Sequence, residues 1–74
     1  MEVNKMSKWI LIEVENQSIN EPDTYETYED AYVEMKRRYE HIVEDDDEAS
    51  IHSDYATIQT DYYNAEWRIY EVVM

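Results

Sequence analysis

The strongest constraint on the fold is a stripe of apolar and aromatic residues that repeats every three or four positions in the middle of the chain. Just before it, Thr27 is followed three residues later by Asp30, a spacing typical of a helix start. A helix gathers such a stripe into an arc of roughly 120°, the width that packs against a core. The pattern therefore predicts one amphipathic helix. Its buried stripe is expected to contain Tyr28, Ala31, Tyr32, Met35, Tyr39, Ile42 and Val43.

Three other segments, 8–15, 55–60 and 65–73, alternate between apolar and polar residues, as β-strands do. The last two are expected to form a hairpin, with Asn64 in a left-handed conformation at the turn because the chain has no glycine. The element order is thus β-α-β-β, an α+β fold. A right-handed crossover predicts a three-stranded antiparallel sheet in the order 1-3-2, with the helix packed on one face.

One sheet face would then remain uncovered by the helix. In the first strand, Ile10, Ile12 and Val14 share one face. The uncovered face is expected to carry Trp9, Leu11, Arg68, Tyr70 and Val72.

The chain has 74 residues, which is the length of a single domain, 1–74. Residues 1–7 are predicted to be a disordered N-terminal extension. The segments 16–26 and 44–50 carry no sustained periodicity and are interpreted as loops.

Charge excludes several classes of function. The chain holds 19 acidic and 6 basic residues, a net charge of −13, which argues against binding nucleic acid or an anionic membrane. The longest apolar run, Trp9 to Ile12, is far too short to cross a membrane, and the first residues lack the apolar stretch of a secretory signal. A cytoplasmic protein, acting in a bacterial host cell, is the expectation.

The residues that catalysis requires are scarce. There is no cysteine nucleophile and no glycine for a phosphate-binding loop. His41 and His52 are separated by an acidic run, EDDDE, that lacks the register of a calcium-binding loop. The sequence therefore predicts neither an enzyme nor a cofactor or metal site.

Two acidic stretches flank the predicted helix. Carboxylates at its start complement the helix dipole, whereas those at its end oppose the dipole and repel one another. Solubility alone is one explanation for this excess charge, and a partner that supplies cations is another. Tyrosines beside the acids offer rigid anchors for such a partner. The predicted partner-binding residues are Glu21, Asp23, Tyr25, Glu26, Glu29, Asp30, Glu44, Asp45, Asp46, Asp47, Glu48, Asp54 and Tyr55.

The segments EPDTYETYEDAYVEM and EDDDEASIHSDY, in a short glycine-free chain, resemble the small acidic inhibitors of phages and mobile elements. Anti-restriction proteins, anti-CRISPR proteins and the uracil-glycosylase inhibitor belong to this class, whose carboxylates stand in for DNA phosphates. The resemblance covers size, charge and aromatic content, and rests on no shared motif.

The resemblance implies an inhibitor that occupies the basic groove of a nucleic-acid-binding protein, foremost a phage anti-CRISPR protein that blocks a CRISPR effector nuclease. The alternative is a small acidic adaptor or structural protein that dimerises or docks through the uncovered sheet face.

Overall fold

The structure is a computed structural model that describes residues 7–44 and 48–73. Within these ranges, one helix packs on an antiparallel sheet. The elements are β1 (Ser7–Glu15), β2 (Ser18–Ile19), β3 (Asp23–Tyr25), α1 (Tyr28–Ile42), β4 (Glu48–Ile51), β5 (Tyr55–Gln59) and β6 (Asn64–Val73). Ser7, placed in the N-terminal extension by the sequence, is paired in β1 with Val73, and the rest of that extension lies outside the described residues.

The predicted three-stranded sheet is wrong, because the sheet has six strands. β1, β6 and β5 lie side by side in that order, and β4 extends the sheet beyond β5. On its other side, β1 pairs with β2 at one end and with β3 at the other. These short strands come from the two segments interpreted as loops. Each one covers an edge whose backbone groups would otherwise lack partners.

The turns also differ from expectation. The left-handed residues are Asn16 (φ 48°) and Gln17 (φ 72°), which form the two-residue turn between β1 and β2. Asn64, predicted to be left-handed, instead begins β6. The connection before it needs no positive φ, since the Thr60 hydroxyl accepts hydrogen bonds from the backbone N–H groups of Tyr62 (3.1 Å) and Tyr63 (2.8 Å).

The helix agrees with its sequence signals. The Thr27 hydroxyl accepts a hydrogen bond from the backbone N–H of Asp30 at 3.1 Å, which confirms the predicted cap. Ala31 and Met35, in the centre of the stripe, are fully buried. They pack against the apolar side chains of the sheet, and this small core holds Leu11, Ala56, Ile58, Ala65, Trp67 and Ile69.

The sheet face away from α1 is called the open face here. Residues directly opposite each other in an antiparallel pair share a face, so the pairing assigns every side chain to one side. Leu11 pairs with Ile69 and is buried, and the Trp9 ring contacts that of Tyr28 on α1, so their predicted place on the uncovered face is wrong. The open face instead carries Lys8, Ile10, Ile12, Val14, Ile19, Thr24, Glu48, Ser50, Tyr55, Thr57, Gln59, Asn64, Glu66, Arg68, Tyr70 and Val72.

Candidate partner-binding surface

Four of the predicted binding residues gather where α1 begins. Glu26, Glu29 and Asp30 surround the first turn, and Asp54 lies in the loop between β4 and β5. The Tyr28 hydroxyl joins the two segments by donating a hydrogen bond to the Ser53 carbonyl. These four carboxylates, Glu26, Glu29, Asp30 and Asp54, are called the helix-start acids.

The negative charge of the helix-start acids is largely uncompensated. All four residues are exposed, and Glu29, Asp30 and Asp54 form no ion pair with any residue that the structure describes. Glu26 pairs with Lys8 at 3.3 Å, but its side chain is 84% exposed, and exposed pairs contribute about 0–1 kcal/mol. The pKa of Tyr28 is raised, mainly by burial, then by Tyr32, and further by the negative charges of Asp54 and Glu29.

Aromatic rings lie beside these acids. The Trp9 and Tyr28 rings meet edge to face with centroids 5.5 Å apart, and the Tyr28 and Tyr32 rings are 5.9 Å apart. All three side chains are half-buried, so each presents part of its ring at the surface. Sequence reasoning assigned Tyr28 and Tyr32 only to the core stripe. Their position next to an acidic helix start was the available signal that they border this acidic surface.

Other acids are neutralised within the molecule by Arg38. Its guanidinium lies 2.5 Å from a carboxylate oxygen of Asp23, 2.7 Å from one of Glu34 and 3.8 Å from one of Glu13. Asp23, predicted to bind a partner, thus has an internal cation. Its neighbour in β3, Tyr25, pairs with Trp9 and has a raised pKa, chiefly because of burial.

The remaining predicted residues lie elsewhere. Glu21 is exposed between β2 and β3, while Glu48 and Tyr55 are on the open face. Glu44 follows the end of α1, which is about 22 Å from its start at 1.5 Å per residue. Glu44 therefore lies at the opposite end of the helix from the helix-start acids. The predicted residues Asp45, Asp46 and Asp47 lie outside the described residues.

The ion pairs of Arg37 and Arg38 predict a specific pH dependence of stability. The pKa of Glu34 is lowered to about 2, mainly by the hydrogen bond from Arg37, with burial acting in the opposite direction and Arg38 adding to the lowering. A carboxyl group whose pKa is lower in the folded state stabilises the fold above its unfolded pKa, and this stabilisation is lost as the pH falls through the folded pKa. We expect Glu34→Gln to cost about 1–2 kcal/mol at pH 7 and progressively less between about pH 5 and pH 2.

Urea denaturation of both proteins across this pH range, followed by circular dichroism, measures the difference. Because the wild type and Glu34→Gln differ only at residue 34, the other acids contribute equally to both and cancel in the difference between their unfolding free energies. A difference that stays constant down to pH 2 would show that the Glu34 ion pairs do not stabilise the fold.

The histidines and acidic side chains of the described residues were compared with the requirements of a metal site. Within residues 7–44 and 48–73, no group of three or more histidine or acidic side chains is placed to hold a metal ion. His52 stacks on Tyr55 with ring centroids 4.3 Å apart, and His41 is exposed in the last turn of α1. No helix in this part of the chain is long and apolar enough to cross a membrane.

Comparison with known proteins identifies no relative of this chain. The chain matches no protein-family model, no curated protein and no solved structure.

Proposed function

We propose that this protein is an acidic nucleic-acid mimic, which binds the basic groove of a DNA- or RNA-binding protein in the cytoplasm and inhibits it. A CRISPR effector nuclease is the first target to test, because the chain resembles the small phage inhibitors in size, charge and aromatic content. The proposed role is binding, without catalysis.

The observation that carries the proposal is the set of helix-start acids. Three of them form no ion pair in the part of the chain that the structure describes, whereas Lys8, Arg37, Arg38 and Arg68 all pair with other carboxylates. Asp54 interacts at longer range with Arg68, whose pKa is raised chiefly by Glu66 and further by Asp54. The start of a helix favours negative charge by about 0.3–1 kcal/mol per group. The protein can therefore fold without a partner for these acids. They remain available to lysine and arginine side chains that normally hold phosphates.

The proposed mechanism is direct competition. The carboxylates of Glu29, Asp30 and Asp54 would form ion pairs with the cations of the groove, while the Tyr28 and Tyr32 rings supply apolar contact at the border. Long-range attraction between the two proteins would speed their encounter. Since salt screens exposed charges, affinity should fall as ionic strength rises.

The test is displacement of labelled duplex DNA from purified DNA-binding nucleases, including a CRISPR effector. We expect displacement at low salt that weakens as salt rises. The variant E29Q/D30N/D54N should bind about 10- to 100-fold more weakly, from three lost pairs of up to about 1 kcal/mol each.

The matched control is E40Q/D61N, compared with the double variant E29Q/D30N; it removes the same charge from exposed sites away from the start of α1. It should retain most of the affinity. Equal losses in the two variants would mean that only total charge matters, and salt-independent displacement would rule out charge competition.

A further inference from the structure

The open face is unusually apolar for an exposed surface. Ile10, Ile12 and Val14 run along β1 and are only half-buried, and Ile10 lies opposite Tyr70 on β6. Ile19 is 72% exposed, and Tyr70 is 48% exposed. A contiguous apolar patch on a small protein marks a surface that binds something.

The open face is also electrically balanced. Its charged side chains are two bases, Lys8 and Arg68, and two acids, Glu48 and Glu66. These four charges cancel, although the whole chain carries −13. At the border of the face, Glu26 pairs with Lys8 at 3.3 Å, and the pKa of Arg68 is raised chiefly by Glu66 and further by Asp54. The face with its border thus carries a small negative charge, and most of the excess acid lies elsewhere.

We propose that the open face binds a second copy of the same chain. Two copies that approach through other surfaces bring excess carboxylates together, and like charges at close range disfavour such contact. Through their open faces, each copy presents both signs of charge and a row of apolar side chains. A two-fold interface requires this kind of self-complementarity, because both partners use the same patch.

Contacts within the face hold its central cation in place. Arg68 donates a hydrogen bond to Glu66 at 2.9 Å, and its guanidinium lies 5.5 Å from the centre of the Tyr55 ring. Tyr55 in turn is stacked on His52. Arg68 is thereby positioned between aromatic and acidic groups that can face their counterparts on the other copy.

The open face also has a recess. A cleft of about 550 Å³ lies at one end, bordered by Val14, Thr57 and Glu66 among others. Ile19, the partner of Val14 in the β1–β2 pair, stands exposed at the same end. A protruding side chain and a recess on one face allow two copies to interlock. The face is nevertheless small for a stable interface, so we expect reversible dimerisation with a dissociation constant on the order of micromolar.

Sedimentation velocity of the full chain from about 1 μM to 1 mM tests the proposal. We expect a monomer–dimer equilibrium in the wild type. Ile10→Glu should weaken the dimer at least about 30-fold, because it puts a charge whose cross-strand neighbours are Tyr70 and Thr24, and not a cation, on each side of the buried face. Since glutamate in a central strand also weakens that strand, Tyr70→Glu at a more exposed site is the second variant, and circular dichroism checks that both are folded.

The matched control is Val33→Glu, which adds the same charge to an apolar residue that is 64% exposed on α1. It should dimerise like the wild type. Salt separates this proposal from the proposed function: dimerisation should strengthen as salt screens the repulsion between two acidic chains, whereas binding to a basic groove should weaken.

A chain that stays monomeric up to about 1 mM overturns the inference. Equal weakening by Val33→Glu also overturns it, as does a monomer whose open face binds a different protein. None of these results bears on Glu29 and Asp30 at the start of α1, whereas Glu26 borders the open face through its ion pair with Lys8.

Discussion

Replacing Arg38 with methionine is expected to lower the free energy of unfolding by about 2–3 kcal/mol, because it removes the shared cation of a partly buried ionic cluster and leaves Glu34 with Arg37 alone. The affected carboxylates are those of Glu13, Asp23 and Glu34. Methionine keeps much of the side-chain length and a good helix propensity, so the change isolates the charge. Urea denaturation at pH 7 and low salt measures the loss.

Arg37→Met is the matched control. Arg37 lies next to Arg38, pairs with the same Glu34 at 2.6 Å, and has a side chain that is 65% exposed. Its replacement should cost less than about 1 kcal/mol, as is usual for an exposed pair. Equal losses of unfolding free energy in the two variants would show that the three ion pairs of Arg38 stabilise the fold no more than the exposed pair of Arg37 does. The Arg38→Met deficit should also shrink as the pH falls toward 2, because the Glu34 carboxylate, whose pKa is lowered to about 2, begins to be protonated there.

Trp67→Ala is expected to have the largest effect, a loss of about 3–5 kcal/mol, since it removes the largest fully buried side chain and leaves a cavity. A chain of this size has a total stability of only about 4–11 kcal/mol, so the variant should be partly or wholly unfolded at 37 °C. Thermal denaturation followed by circular dichroism tests this. A melting temperature close to that of the wild type would contradict the packing described for the core.

Trp67→Phe separates packing from hydrogen bonding. The indole N–H donates to the Glu13 carboxylate at 2.5 Å, and phenylalanine keeps most of the ring but removes that donor. We expect an intermediate loss of about 1–2 kcal/mol, including the less satisfied Glu13 carboxylate. A loss as large as that of the alanine variant would show that the hydrogen bond to Glu13, and not the packing of the ring, provides the stability that Trp67 contributes.

The helix was predictable because its signals are local. Thr27 and Asp30 are three residues apart, and the stripe through Ala31 and Met35 repeats within a single element. The gathering of Glu29 and Asp30 at the start of α1 follows from the same local pattern. The addition of Asp54 does not, because the contact between Tyr28 and Ser53 joins residues that are distant in sequence.

The edges of the sheet were not predictable. β2 and β3 have two and three residues, too few for a periodic pattern to emerge. They are strands because they pair with the edge of β1 that β6 leaves free, and this edge exists only in the assembled sheet. β4 meets the free edge of β5 for the same reason.

By itself, the sequence determined the net charge of −13, the helix with its cap, and the three long alternating strands, since all of these depend on composition or on neighbouring residues. Only the tertiary structure decided which side of β1 faces the helix. Both sides of that strand are apolar, so alternation in the sequence does not show which side is buried. The pairing of Leu11 with Ile69 and of Glu13 with Trp67 does show it, because it places these residues on the helix-covered face. Tertiary structure also decided which carboxylates Arg38 neutralises, because electrostatic attraction depends on distance in space and not along the chain.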